Sequence, residues 1–115
     1  MRIPNAENAV VDIRKLRDYA LNTDHRVGRH KARLFSALLS MDAGDVEALR
    51  DELLRVVGIQ DATPGIEDEH GQRYRIDFTF SLRGREAIIL SAWIIRSNED
   101  FPRLVTCYPL EELAK

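Results

Sequence analysis

The strongest constraint on the fold is a strict alternation of side chains over residues 73–82. Tyr74, Ile76, Phe78, Phe80 and Leu82 are separated by single polar or charged residues. Successive side chains of a β-strand point to opposite faces, so this pattern predicts a half-buried strand with one apolar face.

Further strands are predicted on both sides of this one. Residues 83–85 indicate a hairpin turn, and the nearly continuous apolar run over residues 86–96 predicts a central strand that is partly covered on both faces. Residues 103–108 predict the next strand, which ends at Pro109. Residues 59–62 predict a short strand, followed by a turn at Pro64 and Gly65 and an acidic cluster.

Before Gly58, apolar residues recur at helical spacing. This spacing predicts three helices: residues 13–21 with Asp12 as N-cap, a second from 27–29 to about 41, and residues 46–57 with Asp45 as N-cap and Gly58 as C-cap. The order of elements indicates an α+β fold, with about three N-terminal helices packed on a three- or four-stranded antiparallel meander. At 115 residues we expect a single domain, residues 1–115.

The bulk composition excludes several classes of protein. No apolar run approaches the roughly 20 residues of a membrane span, and the first residues lack the apolar segment of a secretory signal. We therefore expect a cytoplasmic protein with no membrane partner. The single cysteine, Cys107, excludes an intrachain disulfide and a multi-cysteine zinc site.

The charge is unevenly distributed. The net charge is −2, which is unlike a protein that coats nucleic acid. Residues 14–34 nevertheless hold seven basic and two acidic side chains, whereas residues 42–69 hold two basic and nine acidic ones. This asymmetry indicates either an anionic ligand near the first half of the chain or two solvated helix faces of opposite sign.

Candidate chemistry is concentrated at residues 22–31. His25 lies in a predicted turn and is suited to general acid–base catalysis, and Lys31 is suited to stabilise an oxyanion or a phosphorane. The alternative is that His25 packs the loop while Arg29 and Lys31 are solvent-exposed cations at a helix start. His30 is expected to be an ordinary polar helix residue.

The last strand offers a second set of polar side chains. Thr106 and Tyr108 are two residues apart and share a face, and Arg96 on the neighbouring strand would complete a phosphate-binding surface. The alternative is an ordinary polar outer face of the sheet. We expect no metal site, because His25 and His30 are five residues apart, and no cofactor, because neither a Walker A nor a GxGxxG motif occurs.

These segments carry a family resemblance over nearly the whole chain. The pattern around Leu21-Asn22, His25, Gly28 and Lys31-Ala32, with Trp93-Ile94-Ile95-Arg96 and residues 102–109, resembles a small bacterial domain family of unknown function. Members of that family occur alone and as C-terminal modules of toxin-like proteins. More distantly, the chain is similar to the Barnase/EndoU/colicin/RelE group of metal-independent ribonucleases.

The second resemblance implies cleavage of RNA by attack of a 2′-hydroxyl. His25 would be the acid–base group, Lys31 and Arg96 the phosphate ligands, and Thr106 and Tyr108 the groups that orient the phosphate. Arg29 is expected to bind substrate with Arg96 and Tyr108. RNA and a small neutralising protein would be the partners. The alternative is a non-catalytic binding module, such as an antitoxin, an immunity-like protein or a complex-forming protein.

Overall fold

The computed structural model describes residues 1–26 and 29–110. Within these ranges, three helices pack on four strands that form one antiparallel sheet in chain order, which confirms the predicted α+β fold. No helix in this described part is long and apolar enough to cross a membrane. The elements are α1 (Ile13–Lys15), α2 (Arg29–Leu39), α3 (Val46–Ile59), β1 (Thr63–Asp68), β2 (Gly71–Leu82), β3 (Arg85–Arg96) and β4 (Pro102–Pro109).

The β2–β3 hairpin forms the centre of the sheet. Its strands pair without a break in register, so that Tyr74 lies opposite Trp93 and Phe78 lies opposite Ile89. All four side chains are buried in one core with apolar residues of α2 and α3. The indole N–H of Trp93 donates to the hydroxyl oxygen of the buried Ser91 at 2.9 Å, so this polar atom keeps a partner inside the core.

A two-residue turn closes the hairpin. Arg83 and Gly84 have φ angles of 49° and 82°, and positive values at both positions suit the twist of paired strands. The guanidinium of Arg83 donates to both carboxylate oxygens of Asp45, at 2.8 and 3.0 Å, and to the carbonyl of Ser40 at 3.0 Å. The tip of the hairpin is thereby tied to the start of α3.

Several boundaries differ from the sequence predictions. Residues 59–62 form no strand, and β1 lies instead where the sequence predicts a turn and an acidic cluster. All six residues of β1 are exposed, so it lacks the apolar alternation that identifies a strand. α3 continues through Gly58, which is therefore not its C-cap. Asp45 makes no N-cap bond for α3, because its carboxylate forms a capping box with Asp42 around the preceding 3₁₀ turn.

The first helix begins as predicted and then changes its winding. The carboxylate of Asp12 accepts a backbone N–H of the first turn, as expected of an N-cap. After α1 the chain forms a π-helical turn over Leu16–Ala20, closed by a 2.8 Å hydrogen bond from the N–H of Leu21 to the carbonyl of Leu16. This wider turn holds Tyr19 half-buried beside the core.

Residues 1–10, the N-terminal belt, cross from one edge of the sheet to the other. Next to the start of β1, the carbonyl of Met1 accepts the N–H of Ala62 at 2.6 Å. At the β4 edge, the N–H of Val10 donates to Pro102 at 2.9 Å, and its carbonyl accepts the N–H of Leu104 at 3.0 Å. The belt covers the beginning of β4 and brings α1 beside the rest of that strand.

Candidate active site

The side chain of Lys31 joins α2 to the last strand. Its ammonium donates a hydrogen bond to the hydroxyl oxygen of Thr106 at 2.8 Å. The same ammonium lies 5.4 Å from the ring centre of Tyr19 and 5.3 Å from that of Tyr108. Both distances are within the range at which an aromatic ring attracts a cation. One hydroxyl and two rings therefore hold this half-buried ammonium in place.

The apolar face of α2 determines where Lys31 lies. Ala32, Phe35 and Leu39 are buried at helical spacing, and α2 packs against β3 and β4. Lys31 is four residues before Phe35 and therefore stands at the border of the buried face. A lysine at such a border buries its methylene stem and extends its charge beyond the apolar surface.

The ring of Tyr19 also contacts His25. The centres of the two rings are 4.6 Å apart and their planes are inclined by 65°, an edge-to-face arrangement. His25 is half-buried in the turn that precedes α2, where its N–H donates to Asn22 at 3.2 Å and its carbonyl accepts the N–H of Arg29 at 3.0 Å. Tyr19 thus contacts the imidazole of His25 as well as the ammonium of Lys31.

A cavity of about 640 Å³ lies between the first helical segment and β4, and it is bordered by Tyr19, His25, Lys31 and Thr106. This volume is typical of small-molecule and cofactor sites. Across residues 1–26 and 29–110, no three His, Cys, Asp or Glu side chains are grouped so as to hold a metal ion. The cavity is lined by Asp12, Arg14, Lys15, Leu16, Asp18, Tyr19, Ala20, His25, Lys31, Leu104, Val105, Thr106 and Cys107.

Among the described residues, two carboxylates line the cavity, and each is paired with an arginine that lies close to it in sequence. Asp12 pairs with Arg14 at 3.0 Å, and Asp18 pairs with Arg17 at 2.9 Å. In each case the hydrogen-bonded guanidinium lowers the pKa of the carboxyl below its ordinary value. Lys31 forms no salt bridge with a carboxylate of the described residues. A half-buried ammonium without a carboxylate partner favours the binding of an anion.

Cys107 borders the cavity without supplying a reactive thiolate. Its side chain is fully buried, and burial raises the pKa of the thiol to about 12 against the opposing effect of the Lys31 charge. The thiolate is the nucleophilic form of cysteine, so a thiol that stays protonated at neutral pH is inert.

Arg96 lies apart from the cavity. Thr106 pairs with Ala92, and Arg96 is four residues farther along β3, about 13 Å away at the usual rise of a strand. There it lies opposite Gly71 and borders a separate groove with His70. The strand register therefore places Arg96 too far away to contact an anion held by Lys31.

The other predicted site residues lie in or beside the cavity. His25, Lys31 and Thr106 line it together. Tyr108 contacts the ammonium of Lys31 but is not part of the lining. Arg29 is exposed at the start of α2, outside the lining. The structure thus brings the predicted acid–base group, His25, together with Lys31 and Thr106, and it leaves Arg29 on the neighbouring surface.

Sequence reasoning misses Tyr19 and Lys15. Tyr19 falls on the apolar face predicted for the first helix, where its spacing is typical of a core residue. Lys15 lines the cavity, and its ammonium donates to the carbonyl of Leu104 at 3.4 Å. The only signal for Tyr19 in the sequence is an aromatic residue with a polar end on an otherwise aliphatic face, close to His25.

Comparison with known proteins identifies the family. Residues 2–111 match the family described as "Domain of unknown function (DUF6883)". The chain belongs to this family. The DUF6883 match includes the His25 turn, α2 and β4, so every element of the candidate site lies within it. It also agrees with the resemblance to a small bacterial domain family of unknown function.

A solved structure shows the same fold as this DUF6883 chain. It belongs to a contact-dependent growth inhibition toxin–immunity protein complex from Klebsiella pneumoniae 342. The TM-score is 0.64, and the similarity covers 93% of this chain and 97% of the other at 17% sequence identity. At this identity the similarity shows the fold alone. No curated protein matches the chain.

Proposed function

We propose that this DUF6883 protein is a metal-independent endoribonuclease of the bacterial toxin type. The observation that carries the proposal is the half-buried ammonium of Lys31, which has no carboxylate partner among the described residues and shares a cavity with His25 and Thr106. An anion site beside an imidazole supplies the two groups that cleavage of RNA by its own 2′-hydroxyl requires.

His25 acts as the general base. It takes the proton of the 2′-hydroxyl while the 2′-oxygen attacks the adjacent phosphorus. A bond forms between the 2′-oxygen and phosphorus, and the bond from phosphorus to the 5′-oxygen of the next nucleotide breaks. That oxygen takes a proton from water, and His25 returns its own proton to the solvent. The products are a 2′,3′-cyclic phosphate and a 5′-hydroxyl.

Lys31 stabilises the charge that develops on the phosphate. An ammonium has three N–H donors, and one of them goes to Thr106, so two remain for the non-bridging oxygens. Because the hydroxyl of Thr106 accepts from Lys31, its own O–H is left to donate to the substrate. Both groups are partly withdrawn from water, which strengthens their interaction with an anion.

Arg29 and Tyr108 contribute around the reacting atoms. Arg29 is exposed beside the His25 turn and forms no salt bridge within the described residues, so its guanidinium is available to a phosphate that flanks the cleaved one. The ring of Tyr108 helps to hold the ammonium of Lys31 beside Thr106. Arg96 has no part in binding the cleaved phosphate, because β3 carries it away from the cavity.

The structural neighbour supports the toxin part of the proposal. It comes from a complex of a growth inhibition toxin with an immunity protein. A toxin that cuts RNA needs a protein that neutralises it in the cell that makes it, so we expect a small protein partner. The same complex supports the alternative role of an immunity-like binding module, because an immunity protein is its other component.

Incubation of the purified protein with total RNA in the presence of EDTA tests the proposal. We expect fragments that end in 2′,3′-cyclic phosphate and 5′-hydroxyl, and a rate about 10²- to 10⁴-fold lower for His25→Ala. His30→Ala is the matched control, since His30 is exposed on α2 and does not line the cavity.

Two outcomes would contradict the proposal. Equal cleavage by the wild type and His25→Ala would assign the activity to another group or to a contaminant. A folded wild type that cleaves no RNA would favour the binding module.

A further inference from the structure

We infer that Tyr19 positions both reacting groups of the site. Its ring holds the ammonium of Lys31 near Thr106 and orients the imidazole of His25. Its role in cleavage rests on the proposed ribonuclease function. Tyr19 is a positioning residue, because it acts through these two side chains and does not itself react with the phosphate.

One ring makes both contacts. The centre of the Tyr19 ring is 4.6 Å from that of His25 and 5.4 Å from the Nζ atom of Lys31. Tyr19 is half-buried and lines the cavity, so one side of it packs on the protein while another reaches the site. A displacement of this ring would therefore move the base and the anion-binding group together.

The backbone beneath Tyr19 is specialised. The π-helical turn over Leu16–Ala20 adds one residue to a helical turn, and this rare winding is frequent at functional sites. Leu16 and Ala20, at the two ends of the turn, are buried in the core. The extra residue lets both ends keep their apolar contacts while Tyr19 lies toward the cavity. The turn thus places Tyr19 at the cavity beside β4.

The ring of Tyr19 helps to fix the position of the Lys31 ammonium, which has no carboxylate partner among the described residues. Two carboxylates, Asp12 and Asp18, line the same cavity and would attract a lysine that could move freely. The faces of Tyr19 and Tyr108 attract the ammonium toward Thr106 instead. An edge-to-face contact with Tyr19 likewise limits the rotation of the imidazole. Both effects belong to the ring, so phenylalanine should preserve them.

Two substitutions separate the ring from its bulk. Tyr19→Phe keeps the ring, and Tyr19→Leu keeps an apolar side chain without one. With a short RNA we expect Tyr19→Phe to stay within about 3-fold of the wild type, and Tyr19→Leu to lose at least about 10-fold in kcat with a smaller change in KM. Thermal unfolding of each variant checks that it is folded, and Tyr19→Met replaces the leucine variant if that one does not fold.

A second measurement does not depend on cleavage. In a calorimetric titration with inorganic phosphate, Tyr19→Leu should bind phosphate about 3- to 10-fold more weakly than the wild type, and Tyr19→Phe should bind it equally well. In NMR spectra, the chemical shifts of the His25 imidazole should change in Tyr19→Leu and remain those of the wild type in Tyr19→Phe. Matching losses in the two variants would assign the effect to the hydroxyl and overturn the inference.

The two hypotheses fail in different ways. If the wild type cuts RNA and Tyr19→Leu cuts it equally well, the positioning role is wrong and the ribonuclease stands. If phosphate binding depends on the Tyr19 ring but the wild type cuts no RNA, the ribonuclease is wrong and the positioning of Lys31 stands.

Discussion

The β2–β3 hairpin and the cavity beside β4 are held together by opposite kinds of contact. The hairpin joins neighbouring segments through a two-residue turn, and its core side is made of apolar pairs such as Tyr74 and Trp93. The cavity depends on polar and cation–ring contacts between distant segments, since Lys31 and Thr106 are 75 positions apart. The first region should therefore determine stability, and the second should determine activity with little effect on stability.

Replacement of Trp93 should have the largest effect. Trp93 is fully buried at the centre of the sheet, so Trp93→Ala removes a large apolar side chain and leaves a cavity. We expect the free energy of unfolding to fall by about 3–5 kcal/mol, measured by urea denaturation. Ile88→Ala, at an exposed position of the same strand, should cost less than about 1 kcal/mol. Similar costs for the two variants would contradict the assignment of stability to the hairpin core.

Loss of the Lys31 ammonium should affect activity and spare stability. Lys31→Met keeps most of the methylene stem and removes the charge. We expect RNA cleavage to fall by about 10²- to 10³-fold, and the free energy of unfolding to change by less than about 1 kcal/mol. Arg33→Met, at an exposed position of the same helix, serves as the control. A loss of stability parallel to the loss of activity would show that Lys31 has a structural role.

The buried hydroxyl of Ser91 gives a smaller effect within the hairpin. It donates to the carbonyl of Ile76 at 2.8 Å and accepts the indole N–H of Trp93. Ser91→Ala would leave that N–H buried without a partner, at a cost of about 1–3 kcal/mol. Ser81→Ala, on the exposed side of β2, should stay within about 0.5 kcal/mol. Thermal and urea unfolding of the pair would measure the difference.

The ion pair between Arg83 and Asp45 should have the smallest effect on the free energy of unfolding. That effect should depend on pH. The hydrogen-bonded guanidinium of Arg83 lowers the pKa of the Asp45 carboxyl below its ordinary value of 3.8. The stability that this pair adds is therefore present above that value and is lost as the pH falls through the lower pKa of the folded state. When the pH is lowered from 6 to 3, the urea concentration at the midpoint of unfolding should decrease less for Asp45→Asn than for the wild type.

Asp51→Asn provides the control for that experiment. Asp51 is exposed on α3 and forms no salt bridge with the described residues. Its urea midpoint should follow that of the wild type across the same pH range. If the urea midpoints of the wild type and of Asp45→Asn change in parallel with pH, this ion pair does not stabilise the hairpin tip.

The fold could be predicted where apolar residues reveal the local structure. The alternation around Ile76 and Phe78 identifies β2 because one face of this strand is buried and the other is not. β1 could not be recognised, because all its residues are exposed and Pro64 and Gly65 are typical of turns. The π-helical turn over Leu16–Ala20 could not be recognised, because the spacing of its apolar residues fits an ordinary α-helix equally well.

The site could be predicted in its chemistry more readily than in its geometry. His25, Lys31 and Thr106 stand out by residue type, but their meeting in one cavity depends on how α2 packs on β4. Arg96 is as suitable a phosphate ligand as Lys31 by residue type alone. Only the register of β3 with β4 shows that Arg96 lies at a separate groove. Tyr19 could not be selected, because its spacing does not distinguish a core residue from one that contacts a base and a cation.

The N-terminal belt has a consequence for the timing of folding on the ribosome. Met1 is made long before Ala62, to which it bonds, and Val10 is made long before the residues of β4 to which it bonds. The hydrogen bond from Lys31 to Thr106 likewise cannot form until Thr106 has been made. The cavity therefore cannot close until most of β4 has emerged from the exit tunnel. If the protein is a ribonuclease, its nascent chain stays inactive until β4 has left the exit tunnel.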